Sequence, residues 1–88
     1  MKDFVKNLID QHKFATRQLN KIKACIESGN VLIGVNNGKV SLDEYAAIKY
    51  QDKVLKDYVY VLELRLRYNN VIVTEGGDYF EKVEDKIL

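Results

Sequence analysis

The stretch that decides the fold is residues 41–68, SLDEYAAIKYQDKVLKDYVYVLELRLRY. Ser41 and Glu44 form a capping box, in which the serine hydroxyl and the glutamate carboxylate each satisfy a free backbone N–H at a helix start. Apolar residues then recur at helical spacing as far as Tyr68, and Asn69-Asn70 ends the pattern. The stretch therefore predicts a helix over about 42–69, roughly 40 Å long at 1.5 Å per residue.

A second helix of similar length is predicted over about 3–28. Its apolar residues recur every three or four positions, His12 fills the one gap in the stripe, and Gly29-Asn30 ends it. The stripe consists of Phe4, Leu8, Ala15, Leu19, Ile22 and Ile26. Matched lengths favour an antiparallel two-helix hairpin. A parallel pair, with a connector that spans the helix length, remains the alternative.

The connector and the tail carry strand signals. In the connector, 29–41, Asn-Gly at 37–38 stands between apolar runs and predicts a short β-hairpin or an ordered loop. The tail, 70–88, begins with the β-branched run Val71–Thr74, which predicts a strand, and Gly76-Gly77 turns the chain. A last short helix is expected after Asp78, with Phe80, Val83 and Ile87 on its apolar side. The predicted fold is thus one mainly α domain over 1–88, a helical hairpin with a β-hairpin-like connector and a small strand-plus-helix tail.

The predicted tail strand has no obvious partner. In an antiparallel helix pair the connector and the strand lie at opposite ends, about a helix length apart, so they cannot pair. An isolated strand is not stable in water. The strand is therefore expected to pair with another copy, to fold back on its own chain, or to be poorly ordered.

Composition bounds the class of protein. Fourteen basic and thirteen acidic residues give a net charge of +1, mixed along both helices. A duplex-DNA-binding protein usually carries a basic stripe, so general nucleic-acid binding is disfavoured. The N-terminus lacks the apolar run of a signal peptide, no run reaches transmembrane length, and the single cysteine, Cys25, fits a reducing compartment. These features predict a cytosolic protein and no membrane partner.

The second helix has an apolar arc too wide for one partner helix. Two apolar stripes together cover about 220° of its circumference at 100° per residue. Either the tail wraps over this helix or the helix packs against another protomer. We expect self-association, with a symmetric dimer as the simplest unit. The oligomer interface is predicted to consist of Tyr50, Val54, Val61, Leu64 and Tyr68.

No catalytic constellation is present in the sequence, which favours a protein that is not an enzyme. His12 is interpreted as a satisfied core or interface histidine, with a ligand or base as the alternative. Cys25 is interpreted as a small half-buried hydrophobe. One histidine and one cysteine do not make a metal site, and no cofactor is predicted.

Three features remain as ligand-binding candidates. Phe14, Arg17 and Lys21 place an aromatic ring and two cations on one side of the first helix, where a base could stack and phosphates could pair. Arg65 falls within the apolar arc of the second helix, where a cation needs a partner such as Asp57 of another chain or Glu27. Tyr58 belongs to a tyrosine-rich set. The alternatives are interface packing for Phe14 and Tyr58 and an ion pair for Arg65.

The two helices resemble those of small bacteriophage helical-hairpin proteins. The similarity lies in Leu8-Ile9, in the run Leu19–Ile26, and in Gln51, Tyr58 and Arg65 of the second helix, with Leu55 where those proteins have methionine. It covers about residues 4–68 and leaves the tail out. Related hairpins are phage sponge proteins of the anti-CBASS and anti-Thoeris kind, which form oligomers and hold cyclic nucleotide signals between protomers without hydrolysing them.

That resemblance implies a phage counter-defence protein that sequesters a small cyclic nucleotide immune signal at an oligomer interface. None of the ligand residues of those proteins can be matched to this chain by position. Two alternatives stay open. One is a protein-binding inhibitor or adaptor, anti-CRISPR-like or a host-takeover protein, and the other is a nucleic-acid-binding regulator.

Overall fold

The computed structural model describes residues 2–82 and shows three α-helices followed by a β-hairpin within them. The helices are α1 (Asp3–Glu27), α2 (Asn30–Asn36) and α3 (Leu42–Tyr68), and the strands are β1 (Val71–Val73) and β2 (Tyr79–Glu81). The prediction of a mainly α fold is confirmed, and both long helices lie within a residue of their predicted limits.

The two long helices form an antiparallel hairpin. The N-terminal half of α1 packs against the C-terminal half of α3, since Val5 and Leu8 share one apolar cluster with Leu62 and Leu66. This arrangement rules out the parallel alternative. The molecule is elongated, with extents of 66 × 20 × 19 Å. None of the helices in residues 2–82 is both long and apolar enough to cross a membrane.

The start of α3 and the end of α1 have the capping features that the sequence predicts. The Ser41 hydroxyl accepts a hydrogen bond from the Glu44 backbone N–H at 3.1 Å, which caps α3. Gly29 follows α1 with φ +76°, a left-handed conformation that glycine adopts without a Cβ clash.

The prediction of a β-hairpin in the connector is wrong, because this segment is the short helix α2. A brief apolar run fits a buried strand or a helix equally well, and Gly29 lets a new helix start here. The Asn37-Gly38 pair ends that helix rather than turning a hairpin, with Gly38 at φ +79°. The carbonyl of Gly34 then accepts hydrogen bonds from Lys39 and Val40, which folds the chain back against α2.

The tail forms its own strand pair. β1 and β2 are antiparallel, with Val71 opposite Glu81 and Val73 opposite Tyr79, so the predicted strand finds its partner within the chain. The predicted turn at Gly76-Gly77 is confirmed, since Gly77 has φ +84° and its N–H donates to the Thr74 carbonyl. The short helix predicted from Asp78 is wrong over Tyr79–Glu81, which is strand, and Val83 and Ile87 lie outside the described residues.

The core lies towards one end of the hairpin. Leu62, Leu66 and Val71 are the largest fully buried side chains in the described chain, and Tyr79 packs against their cluster. The β-hairpin therefore covers the end where α1 begins and α3 finishes. Towards α2, apolar side chains such as Ile22, Ile48 and Leu55 are only partly buried.

Candidate functional site

A buried polar contact ties the three main parts of the fold together. His12 on α1 is 3% exposed, and its Nε2 lies 3.0 Å from Glu63 Oε1 on α3. Its Nδ1 lies 2.6 Å from the Tyr79 hydroxyl on β2. With Glu63 ionised, Nε2–H donates to the carboxylate, and in the neutral ring Nδ1 accepts from the Tyr79 O–H. Both ring nitrogens are thus engaged, and the interpretation of His12 as a satisfied core histidine is confirmed.

The Tyr79 hydroxyl is held in its protonated form. Burial raises the pKa of Tyr79 above 10.0, and the nearby carboxylates of Glu63 and Asp10 raise it further. The ring meets His12 edge to face, with centroids 5.5 Å apart. A protonated hydroxyl can donate to the imidazole, and the ring has a fixed orientation beside α1.

A groove of about 330 Å³ opens beside this contact, between α1 and the turn of the β-hairpin. Lys13, Arg17 and Gly77 line it, together with His12, Thr16 and Tyr79. The Lys13 ammonium lies 5.4 Å from the centre of the Tyr79 ring. The groove is therefore lined by two cations and an aromatic side chain, with one of the cations over the aromatic ring.

One buried hydroxyl group beside the groove makes no hydrogen bond within the described residues. Within residues 2–82, Thr16 Oγ1 is buried and has no hydrogen-bond partner. A buried hydroxyl without a partner is costly, and such atoms are uncommon in folded proteins. Thr16 lines the groove, so a small shift of its side chain would offer this hydroxyl to a bound group.

Of the three ligand-binding residues predicted on α1, one lines the groove. Arg17 lines the groove, whereas Phe14 and Lys21 do not. Phe14 is 60% exposed, and at 100° per residue it lies about 60° around α1 from Arg17 and about 160° from Thr16 on the far side of the groove. Phe14 and Lys21 thus belong to the outer surface of α1.

The two candidates predicted on α3 lie elsewhere again. The Tyr58 hydroxyl donates to Gln11 Oε1 at 3.3 Å, a contact between α3 and α1. Arg65 is exposed in the last turn of α3, seven residues further on and on the same side of the helix as Tyr58. Of the five predicted ligand residues, only Arg17 contributes to the groove.

All the predicted interface residues on α3 are exposed. Tyr50, Val54, Val61, Leu64 and Tyr68 range from 40% to 88% exposed. They lie opposite the buried Leu62 and Leu66, on the side of α3 that α1 leaves uncovered.

Sequence reasoning missed most of the groove. The short helix expected after Asp78 would include Tyr79, which lies in strand β2 instead. One signal was present: a β-branched run, a Gly-Gly-Asp turn and then Tyr79-Phe80 is the pattern of a strand pair. A hairpin expected there would have brought Tyr79 back towards the helices.

Among residues 2–82, no three His, Cys, Asp or Glu side chains come together to hold a metal ion. Comparisons with protein-family models, curated proteins and solved structures find no match for this chain.

Proposed function

We propose that this chain is a binding protein that sequesters a small anionic nucleotide without transforming it, in the phage counter-defence role that its resemblance to sponge hairpins implies. The observation that carries the proposal is the groove in which Lys13 and Arg17 stand beside the ring of Tyr79. The net charge is only +1, so recognition would rest on these local cations rather than on the overall field.

Each wall of the groove suits one part of a nucleotide. Arg17 has the fork geometry that pairs with phosphate oxygens, and Lys13 adds a second, mobile positive charge. The Tyr79 ring offers a face on which a base can stack. Lys13 lies over that ring in the free protein, so a stacking base would displace its ammonium towards the phosphate.

The volume of the groove limits the ligand. About 330 Å³ is at the small end of the range for small-molecule pockets. It accommodates one nucleotide unit, and a cyclic di- or trinucleotide would extend out of it towards a second protomer. This size is compatible with the shared, interfacial binding expected from the resemblance.

The chemistry of the groove supports binding rather than hydrolysis. His12 is the one histidine in the chain, and both of its ring nitrogens are hydrogen-bonded inside the fold. It is therefore not poised to activate a water molecule.

The test is thermal stabilisation and calorimetry against a panel of cyclic di- and trinucleotides and cyclic ADP-ribose isomers. A ligand at 100 times its Kd stabilises the fold by about 2.7 kcal/mol. Arg17→Glu and Lys13→Glu should abolish binding. Lys21→Glu is the matched control, because Lys21 lies on α1 outside the groove. Ligand recovered from the complex should be intact by mass spectrometry.

Two results would contradict the proposal. One is the absence of stabilisation by every member of the panel at saturating concentration. The other is binding that Lys21→Glu abolishes and Lys13→Glu leaves intact, which would move the site to the outer face of α1.

A further inference from the structure

Six exposed apolar residues of α3, together with the charged Asp57 between them, follow a heptad pattern. Successive positions are separated by three or four residues without interruption over about three heptads. They are Ala47, Tyr50, Val54, Asp57, Val61, Leu64 and Tyr68, and we name this set the α3 seam. An alternation of three and four is the spacing that keeps one stripe of a helix against a neighbouring helix.

Residues 2–82 leave the α3 seam uncovered. Its large apolar members are exposed, up to 88% at Tyr68, while Leu62 and Leu66 on the opposite face are fully buried. The hairpin with α1 thus uses one side of α3 and leaves the other to solvent. An apolar stripe of this length is typical of a protein-interaction surface.

We propose that the α3 seam binds the same seam of a second copy of this chain, with the two α3 helices antiparallel and overlapping over their full length. In this register Leu42, at the start of one α3, lies beside the C-terminal end of the partner's α3. Ala47 then faces the partner's Leu64, and Tyr50 faces the partner's Val61. Val54 faces the partner's Asp57, and each contact occurs twice because of the two-fold symmetry.

The charged residues beside the seam select this register. On one flank, Glu44 lies opposite the partner's Arg65. On the other flank, Lys53 lies beside the partner's Asp57. All four residues are exposed in the single chain, so their charges are available for pairing. Opposite charges at the flanking positions of two packed helices set both orientation and register.

The competing arrangements bring like charges together. A parallel pair places Asp57 against Asp57 in the middle of the seam. An antiparallel pair shifted by one heptad places Lys53 opposite the partner's Arg67. Like charges in contact are disfavoured, so Asp57 in the seam excludes the parallel pair, and Lys53 and Arg67 on the flank disfavour the shifted antiparallel pair.

This arrangement leaves the groove accessible. Glu63, which bonds to the groove residue His12, lies about 140° around α3 from Tyr50 at 100° per residue. The seam contact is therefore separate from any protomer contact made at the groove, so pairing through the seam and nucleotide binding can fail independently.

The first test is the molecular mass by light scattering and sedimentation equilibrium across the micromolar range. A dimer is expected for the natural sequence, and Leu64→Lys should convert it to a monomer. Leu32→Lys is the matched control, because Leu32 is a similarly exposed leucine on α2, outside the seam. A monomer throughout this range, or a dimer that Leu64→Lys leaves intact, would overturn the proposal and leave the seam for a different protein.

The second test uses charge reversal. Arg65→Glu should raise the dimer dissociation constant by about tenfold or more, since it places two carboxylates together at both symmetric contacts. Adding Glu44→Lys to that variant should restore the original value. Such rescue requires contact between the two positions and does not follow from a folding defect. Failure of the second substitution to restore affinity would exclude the register.

The third test measures orientation. In a Cys25→Ser background, a spin label at Leu42→Cys should report a separation of about 40 Å across the dimer, the length of α3. A parallel pair would bring the labels much closer together, and a short distance would overturn the antiparallel arrangement. Leu42 is exposed at the start of α3 and lies beside the seam rather than in it.

Discussion

The hydroxyl of Tyr79 lies 2.6 Å from Nδ1 of His12, although 67 positions separate the two residues in the chain. This contact connects the β-hairpin to α1, and the Glu63 carboxylate continues it to α3. It thus contributes both to the stability of the fold and to the shape of the groove.

Removal of the Tyr79 hydroxyl should destabilise the protein. Tyr79→Phe leaves His12 Nδ1 buried without its partner, which costs about 1–3 kcal/mol. Urea unfolding measures this loss. Tyr60→Phe is the matched control, because Tyr60 is 61% exposed, and its effect should stay within about 0.5 kcal/mol. Equal losses of unfolding free energy for the two substitutions would show that the hydrogen bond between Tyr79 and His12 does not contribute to stability.

Ionisation of Tyr79 should also lower the free energy of unfolding at alkaline pH. Its pKa in the folded state is raised, by burial first and then by Glu63 and Asp10, above the 10.0 of the unfolded chain. The unfolded state therefore releases the proton more readily, and the stabilisation is complete below pH 10.0 and declines as the pH rises towards the folded-state pKa.

The measurement is the difference in unfolding free energy between the natural sequence and Tyr79→Phe, taken at several pH values from neutral to alkaline. Lysine titration affects both proteins and cancels in the difference. A difference that grows above pH 10.0 would contradict the expected sign.

Gly34 should resist substitution although it lies in a helix. Alanine normally favours a helix over glycine by about 1 kcal/mol. A Cβ at position 34, however, would lie 2.6 Å from Cγ2 of Val40, and a valine side chain is stiff. We expect Gly34→Ala to destabilise the protein by about 1–2 kcal/mol.

Val40→Ala should reverse the sign of that effect. In the Val40→Ala background the obstructing methyl group is gone, so Gly34→Ala should be neutral or stabilising. Thermal unfolding of the four variants forms a double-mutant cycle. If the stability changes of the two substitutions simply add, the short distance between a Cβ at position 34 and Val40 is not the cause of the destabilisation.

Leu62 and Leu64 should respond differently to truncation. Leu62 is fully buried, so Leu62→Ala should cost about 2–5 kcal/mol at every protein concentration. Leu64 is 40% exposed, and Leu64→Ala should change the stability of the isolated chain little. Its effect should appear instead as a weaker dependence of the melting temperature on concentration. Equal, concentration-independent losses would assign Leu64 to the monomer core.

The predictable part of the fold was the part governed by helical periodicity and capping. Residues 42–68 carry both signals, and the helix begins at the residue after Ser41 as expected. The connector could not be assigned, because Val31–Val35 is too short for periodicity to separate strand from helix. Asn37-Gly38 is ambiguous for a related reason: a left-handed glycine ends a helix as readily as it turns a hairpin.

The groove was less predictable than the fold because its residues come from distant positions. Arg17 was identified from its place beside Phe14 on α1, yet Phe14 itself does not line the groove. The ring that lies in the groove belongs to Tyr79, and its position depends on how the β-hairpin docks. Docking of a short tail leaves no periodic signal in a sequence.

The fully buried core lies at one end of the elongated molecule. The two ends are therefore expected to unfold locally at different free energies. The fully buried large side chains lie where the β-hairpin meets the start of α1 and the end of α3, whereas apolar side chains near α2 stay partly in solvent. Local opening needs less free energy where fewer apolar contacts break. Amide hydrogens around α2 should therefore exchange with deuterium well before those of the opposite end. The end that carries the groove would stay closed while the other frays.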